Sequence, residues 1–202
     1  MNMLDNFFMG ILSCEKYKER RVKQDLSETI FDYMYFVGNS NLSNPIVEGN
    51  TVLLPCPDSY EHLPKKTHLM IKWILENKPT ADYIFKTDDD IKFNFQKLQE
   101  NSNYVLSNKI DYSGNLVSLK KSYSVYHFGK CDGDMDRIPV LVEQAEYCSG
   151  GGYFLSRRSA EIIKNNFPSD DIVFEDYYVG KTLNDNRIFP AHLNLHNNSC
   201  FW

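Results

Sequence analysis

Three aspartates in a row, Asp88-Asp89-Asp90, follow the apolar run Tyr83-Ile84-Phe85. Adjacent carboxylates repel: a like pair about 4 Å apart at an effective dielectric near 20 costs roughly 4 kcal/mol. Solvating them apart relieves that cost, and so does a divalent cation held between them and a ligand. Hard cations such as Mg²⁺ or Mn²⁺ take oxygen ligands and often share their shell with substrate phosphates. A bare acidic triplet is more commonly a solvated turn. This one sits at the carboxyl end of an apolar strand, which weighs the two readings evenly.

Three further constellations could do chemistry. Gly150-Gly151-Gly152 lies between Tyr147-Cys148-Ser149 and Tyr153-Phe154-Leu155. Consecutive glycines lose much conformational freedom on folding, so the chain there needs positive φ or a close backbone approach, by a substrate or by a tight bend. The run lacks the G-x-G-x-x-G spacing of a dinucleotide site. Glu175-Asp176 opens a predicted helix, where the helix dipole alone favours carboxylates. One aimed at an acceptor hydroxyl could take its proton as general base. Successive helical positions point about 100° apart, so at most one of the two is expected to face a shared cleft. Near the C-terminus, Ala191-His192-Leu193-Asn194-Leu195-His196 alternates with period two and sets His192, Asn194 and His196 opposite the leucines. One of these histidines could complete a metal's shell. A helical reading would instead align His192, His196 and Cys200 as a zinc candidate; Pro190 and the alternation oppose it.

The elements that must position these groups read as strands and helices in alternation. Apolar residues 7–12 form a buried strand, and residues 15–30 follow as an amphipathic helix. Strand 31–37 stops at Gly38-Asn39, residues 39–50 are a polar loop, and 51–54 is a short strand. A helix over 65–77 is stopped by Pro79, strand 81–87 runs into the triplet, and 95–104 is helical. Strand-like 115–119 precedes a polar, glycine-containing stretch over 129–136. Ser156 caps a helix over 157–166, another helix spans 175–183, and 188–196 is extended. This order indicates an α/β domain, Rossmann-like, with a largely parallel sheet flanked by helices. Ligands in such sheets collect at the carboxyl ends of the strands, where the triplet falls.

Composition agrees with one domain over residues 1–202, with a place in a longer protein left open. Hydrophobic content of 42% supplies a core without disulfides. A net charge of −5 with no long Lys/Arg run argues against nucleic acid as a partner. Five scattered cysteines, odd in number and without C-x-x-C, suit a reduced compartment. The apolar runs fall far short of the roughly 20 residues needed to span a bilayer, and no basic leader opens the chain. The expectation is a soluble, cytoplasmic protein with no membrane span.

Five blocks, taken in order, resemble the β-1,3-galactosyltransferase family and its N-acetylglucosaminyltransferase and fringe-type relatives. They are Gly10-Ile11-Leu12-Ser13 with Glu19-Arg20-Arg21; Asp58-Ser59-Tyr60 with Leu63 and Lys66-Thr67; Lys86-Thr87-Asp88-Asp89-Asp90; Tyr147 to Ser156; and Glu175-Asp176-Tyr177-Tyr178-Val179-Gly180. The resemblance implies a GT-A fold and inverting transfer from a nucleotide-sugar donor, usually UDP-linked. It also implies Mn²⁺ (or Mg²⁺) and a glycan or glycoprotein acceptor. It maps Asp90 onto the metal-binding aspartate of a DxD-type motif and sets Asp88 and Asp89 near ribose and diphosphate. It makes Asp176 the general base and brings a C-terminal histidine to the metal, His196 fitting better than His192. Ser13, Arg21 and Lys66 are donor-side candidates, and Gly150, Gly151 and Gly152 with Glu175 face donor sugar or acceptor. The chain departs from the family after Arg20-Arg21, where Val22-Lys23-Gln24-Asp25 replaces a further arginine and a Thr-Trp or Ser-Trp. Two rival readings are a noncatalytic sugar-binding module of the same fold and a metal-dependent phosphatase or nuclease.

Overall fold

The computed structural model describes residues 6–166, 173–195 and 200–201. Its centre is β1 (Phe7–Leu12), buried at every position, as a strand covered by helices on both faces must be. β1 pairs in parallel with β2 (Asp32–Gly38) on one side and with β5 (Tyr83–Asp88) on the other. Beyond β2 come β4 (Thr51–Leu54), parallel, and the exposed edge strand β3 (Ile46–Glu48), antiparallel. Beyond β5 come β10 (Ala145–Ser156) and β7 (Tyr112–Leu119), each antiparallel to its predecessor, and then β11 (Ala191–His192), parallel to β7. The eight-stranded sheet is therefore mostly parallel around β1, with antiparallel pairings at β10 and at the β3 edge.

The period-two alternation of β1 divides the core. Phe8 and Leu12 face α2 (Leu63–Asn77), α4 (Arg157–Asn165) and α5 (Glu175–Asp185), among Met70, Ile74, Ile163 and Val179. Phe7, Met9 and Ile11 face the opposite layer, where α3 (Phe95–Ser107) contributes Leu98 and Val105. Two small ribbons lie outside the main sheet: β6 (Lys92–Phe93) with β12 (Cys200–Phe201), and β8 (Ser122–Ser124) with β9 (Val140–Val142). No helix among the described residues is long and apolar enough to cross a membrane. All five cysteines are free.

The expected helix over 15–30 is the main departure. A 3-10 turn at Glu15–Tyr17 leads into α1 (Lys18–Lys23), and Gln24 is already extended, with ψ 112°. Tertiary bonds win here: the Gln24 side-chain amide donates to the carbonyls of Asp88 and Ile91, at 3.2 and 2.9 Å. Leu26 and Phe31 then drop into the core beneath, while Val22 stands 86% exposed. Residues 39–50 are not all loop, because β3 forms within them. The glycine triplet lies inside β10, where its pairing with β7 shifts register between Cys148 and Tyr153. Ser156 does cap α4, its hydroxyl accepting from the Ser159 amide at 3.2 Å.

Candidate active site

Because β1 and β5 are parallel and in register at Leu12 and Asp88, their carboxyl ends emerge together. Ser13 and Asp89 are thereby neighbours: the Asp89 amide donates to the Leu12 carbonyl at 3.1 Å, and the Ser13 hydroxyl donates to Asp89 Oδ2 at 2.6 Å. Short as it is, α1 lays two arginines on this corner. Arg20 Nη1 donates to Asp90 Oδ2 at 3.0 Å and lies 3.5 Å from Asp89 Oδ1. Arg21 donates to the Ser13 hydroxyl, the Cys14 carbonyl and Glu15 Oε2, each at 3.1 Å. Burial lifts the Asp89 carboxyl above the ordinary aspartate range, against the Ser13 hydroxyl and the Arg20 charge.

Asp88 turns the other way. Strand alternation sets it on the face of Lys86, two residues back. The Lys86 ammonium, 1% exposed, lies 2.9 Å from Asp88 Oδ1 and 3.0 Å from Glu175 Oε2, and it donates to the Gly150 carbonyl at 2.6 Å. An ammonium out of water is tolerable only when its charge and donors are met. Here they are, from β5, β10 and α5 at once. Burial opposes the charge on Lys86, but the two carboxylates outweigh it and hold its pKa above the usual lysine value. Burial raises the Asp88 carboxyl despite the pull of Lys86. The same holds for Glu175, whose other oxygen accepts a very short hydrogen bond from the Tyr153 hydroxyl.

None of the three glycines has positive φ. A Cβ on Gly150 would make ordinary contact with Glu175 Oε2 and Asp176 Oδ2, at 3.4 and 3.6 Å, whereas one on Gly152 would press on the Phe85 ring at 3.1 Å, so Gly152 serves close approach. The Gly151 carbonyl accepts from the Thr87 hydroxyl at 2.9 Å. Among the described residues Asp176 is held by backbone donors, the amides of Gly150 at 3.1 Å and Tyr177 at 2.8 Å. Glu175 is buried, whereas Asp176 stays half-buried. Burial raises the Asp176 carboxyl above the aspartate range, against those amides and Lys86.

The remaining candidates fall elsewhere. Lys66, 1% exposed, donates to the Ser13 carbonyl at 2.8 Å and pairs with Asp58 at 2.5 Å. The Asp58 carboxylate also accepts from the amides of Glu15 and Gly38, so this pair ties the ends of β1 and β2 beneath the corner. His192 is exposed and its Nδ1 accepts from the Leu116 amide at 3.3 Å. His196 lies outside the described residues, and with it both the proposed metal histidine and the zinc alternative. Among the described residues no three His, Cys, Asp or Glu side chains converge on a metal position. Asp90 pairs with Arg20 through one oxygen, but its side chain is 41% exposed, and Mg²⁺-like ions settle for one or two carboxylates when phosphates and water fill the shell.

Sequence reasoning assigned no role to Lys86, Arg20 or Tyr153. Lys86 had a readable signal: a lysine directly after the apolar run Tyr83-Ile84-Phe85, on the same buried strand, must find carboxylates.

The galactosyltransferase family model matches residues 47–194. The UDP-GalNAc:beta-1,3-N-acetylgalactosaminyltransferase 1 of Sus scrofa is 33% identical over 141 residues, covering 63% of this chain and 38% of that protein. Beta-1,3-galactosyltransferase 5 of Pan paniscus is 28% identical over 131 residues, covering 62% and 42%. The chain thus spans about two fifths of the length of these curated relatives. Among solved structures, A197 from STIV aligns over 93% of this chain and 80% of that chain at TM-score 0.47 and 17% identity, a likeness too distant to argue from.

Proposed function

We propose that this chain, which belongs to the galactosyltransferase family, transfers a hexose from a UDP-sugar to a hydroxyl of a glycan or glycoprotein acceptor, inverting the anomeric carbon within a GT-A-type fold. One observation carries the reading: a half-buried carboxylate with a raised pKa, Asp176 of α5, accepts from the amide of Gly150, the residue whose carbonyl Lys86 links to Asp88 of the acidic triplet. The relatives' names supply the UDP-linked donor and the β-1,3 class.

In this reading Ser13, Arg21 and Asp89 line the donor side, Asp88 is turned to Lys86 and supports the strand end from the other face, and the cations of α1 draw the diphosphate to the strand ends. Asp90, with His196 as a further candidate ligand, would hold Mn²⁺ or Mg²⁺, which supplies charge neutralisation for the departing UDP. Lys66 acts from below by fixing the Ser13 turn. Gly150, Gly151 and Gly152 offer bare backbone to the sugar. Asp176 takes the acceptor hydroxyl proton as that oxygen attacks the anomeric carbon from the face opposite UDP, so one displacement inverts the centre. Burial favours this role, since a base raised towards neutrality accepts a proton more readily than an ordinary aspartate.

The test is Asp176→Asn. Transfer should fall by about 10²–10⁴-fold, the range for loss of a general base, while UDP-sugar binding in Mn²⁺ holds. Normal transfer by this variant refutes the assignment. UDP-sugar binding without any transfer in the unaltered protein would instead favour a noncatalytic sugar-binding module.

A further inference from the structure

The transferase reading leaves the acceptor's seat unassigned, and the segment between β8 and β9 is the part of the molecule it does not use. This segment exposes several large rings and aliphatics, among them Tyr126 at 70% and Phe128 at 39%. Its backbone is anchored nonetheless. His127 is fully buried between two exposed neighbours; its Nε2 is hydrogen-bonded to the Ile138 carbonyl at 3.0 Å, and its ring packs edge-on at 5.5 Å against Phe174. The amides of Phe128 and Lys130 close turns onto the carbonyls of Val125 and His127, both at 3.0 Å. Phe174 immediately precedes Glu175-Asp176. The buried His127 therefore pins the exposed Tyr126 and Lys130 above the start of α5, where the base stands.

Tyr126 itself meets Phe174 at 6.4 Å between ring centroids. The Lys130 ammonium lies 3.3 Å over the Tyr126 ring and 5.5 Å from the ring of Tyr60, which comes from the turn before α2. Two tyrosines from separate elements thus share one exposed cation. The charge of Asp176 reinforces the burial that lifts the phenols of Tyr60 and Tyr147, so these two rings lie within electrostatic reach of the base.

We infer that Tyr126 and Lys130, with Tyr60 opposite, form the seat for a neutral pyranose ring of the acceptor, which they present to Asp176. A pyranose has an apolar C–H face and a rim of hydroxyls. A tyrosine ring with a polar tip matches the face, and the three donors of an ammonium match the rim. Lys130 is exposed and flexible, so it can leave the ring for a sugar hydroxyl without disturbing the fold. A bare hydrophobic contact surface would need neither the lysine nor the placement beside a carboxylate. The inference rests on the transferase reading and adds to it the class and position of the acceptor.

The experiment compares the unaltered protein, Tyr126→Ala and Tyr126→Phe by saturation-transfer NMR. The probes are methyl β-glycosides of galactose, glucose and N-acetylglucosamine, in the presence of UDP and Mn²⁺. The C–H protons of at least one glycoside should be saturated by the unaltered protein. Tyr126→Ala should weaken that binding about tenfold, the size of a lost ring contact, and Tyr126→Phe should retain it. A rise in melting temperature with UDP and Mn²⁺ reports the donor site separately in all three proteins. Equal saturation by Tyr126→Ala, or no saturation in a protein that UDP still stabilises, overturns the acceptor seat alone. No response to UDP in the unaltered protein sinks the transferase reading and the seat with it.

Discussion

At the scale of single residues, the site depends on charges that are buried yet mutually satisfied. Lys86 is the hub, and removing its charge strands Glu175 in the interior. Lys86→Met should destabilise the protein by about 3–5 kcal/mol, as when one partner of a buried ion pair is removed, read as a lowered urea midpoint. The double variant Lys86→Met, Glu175→Gln should recover part of that loss, because the stranded charge is gone. Asp176 carries the opposite sign. Its pKa is raised in the folded state, so its protonated form is favoured by folding, and the stability it confers is lost as pH rises through that raised value. Asp176→Asn, which still offers an oxygen to the amides of Gly150 and Tyr177, should therefore melt no lower than the unaltered protein at pH 7 although transfer is lost. For the same reason the acid limb of the transfer rate should lie above the ordinary aspartate range, since activity needs the ionised base. A variant that melts clearly lower, or an acid limb at ordinary aspartate values, contradicts this account.

Between elements, the decisive contact is α5 against β10, because it delivers Asp176 to the glycine strand. Gly180 makes it possible: a Cβ there would lie 2.1 Å from the Tyr147 Cβ and 2.8 Å from its Cα, which cannot move aside cheaply. Gly10 is crowded too, but by the Met70 sulfur at 2.7 Å, the flexible end of a side chain. Gly180→Ala should therefore cost more than Gly10→Ala, at or above the roughly 1–3 kcal/mol typical of overpacking. It should also lower transfer, because the helix carrying the base is displaced. Equal melting temperatures for the two variants would show that the α5–β10 contact yields more readily than its geometry implies.

For the whole molecule, the donor corner unites the ends of β1 and β5 with α1, elements that touch only in the folded state. Ligand binding there should stabilise all of it. UDP with Mn²⁺ at a hundredfold excess over its dissociation constant should add about 2.7 kcal/mol, or roughly 5–10 °C in melting temperature for a chain of this length. Removing the metal with a chelator, or replacing Asp90 with Asn, should remove most of that shift. Persistence of the full shift in Asp90→Asn would separate Asp90 from the cation.

The sequence by itself determined the central strands, the helices packed on them and the position of the acidic triplet at a strand's end. Those features depend on local periodicity and on β1 and β5 being apolar along their length. It also brought out Asp176 and the glycines, through the order of short blocks. Only the tertiary structure decided that Asp88 and Asp89 face different partners, that Lys86 binds three elements together, and that the chain leaves the helix after Lys23. These outcomes depend on partners far along the chain, such as Glu175 for Lys86 and the carbonyls of Asp88 and Ile91 for Gln24. A buried charge or amide is stable only where such partners arrive, and no local pattern states which ones will.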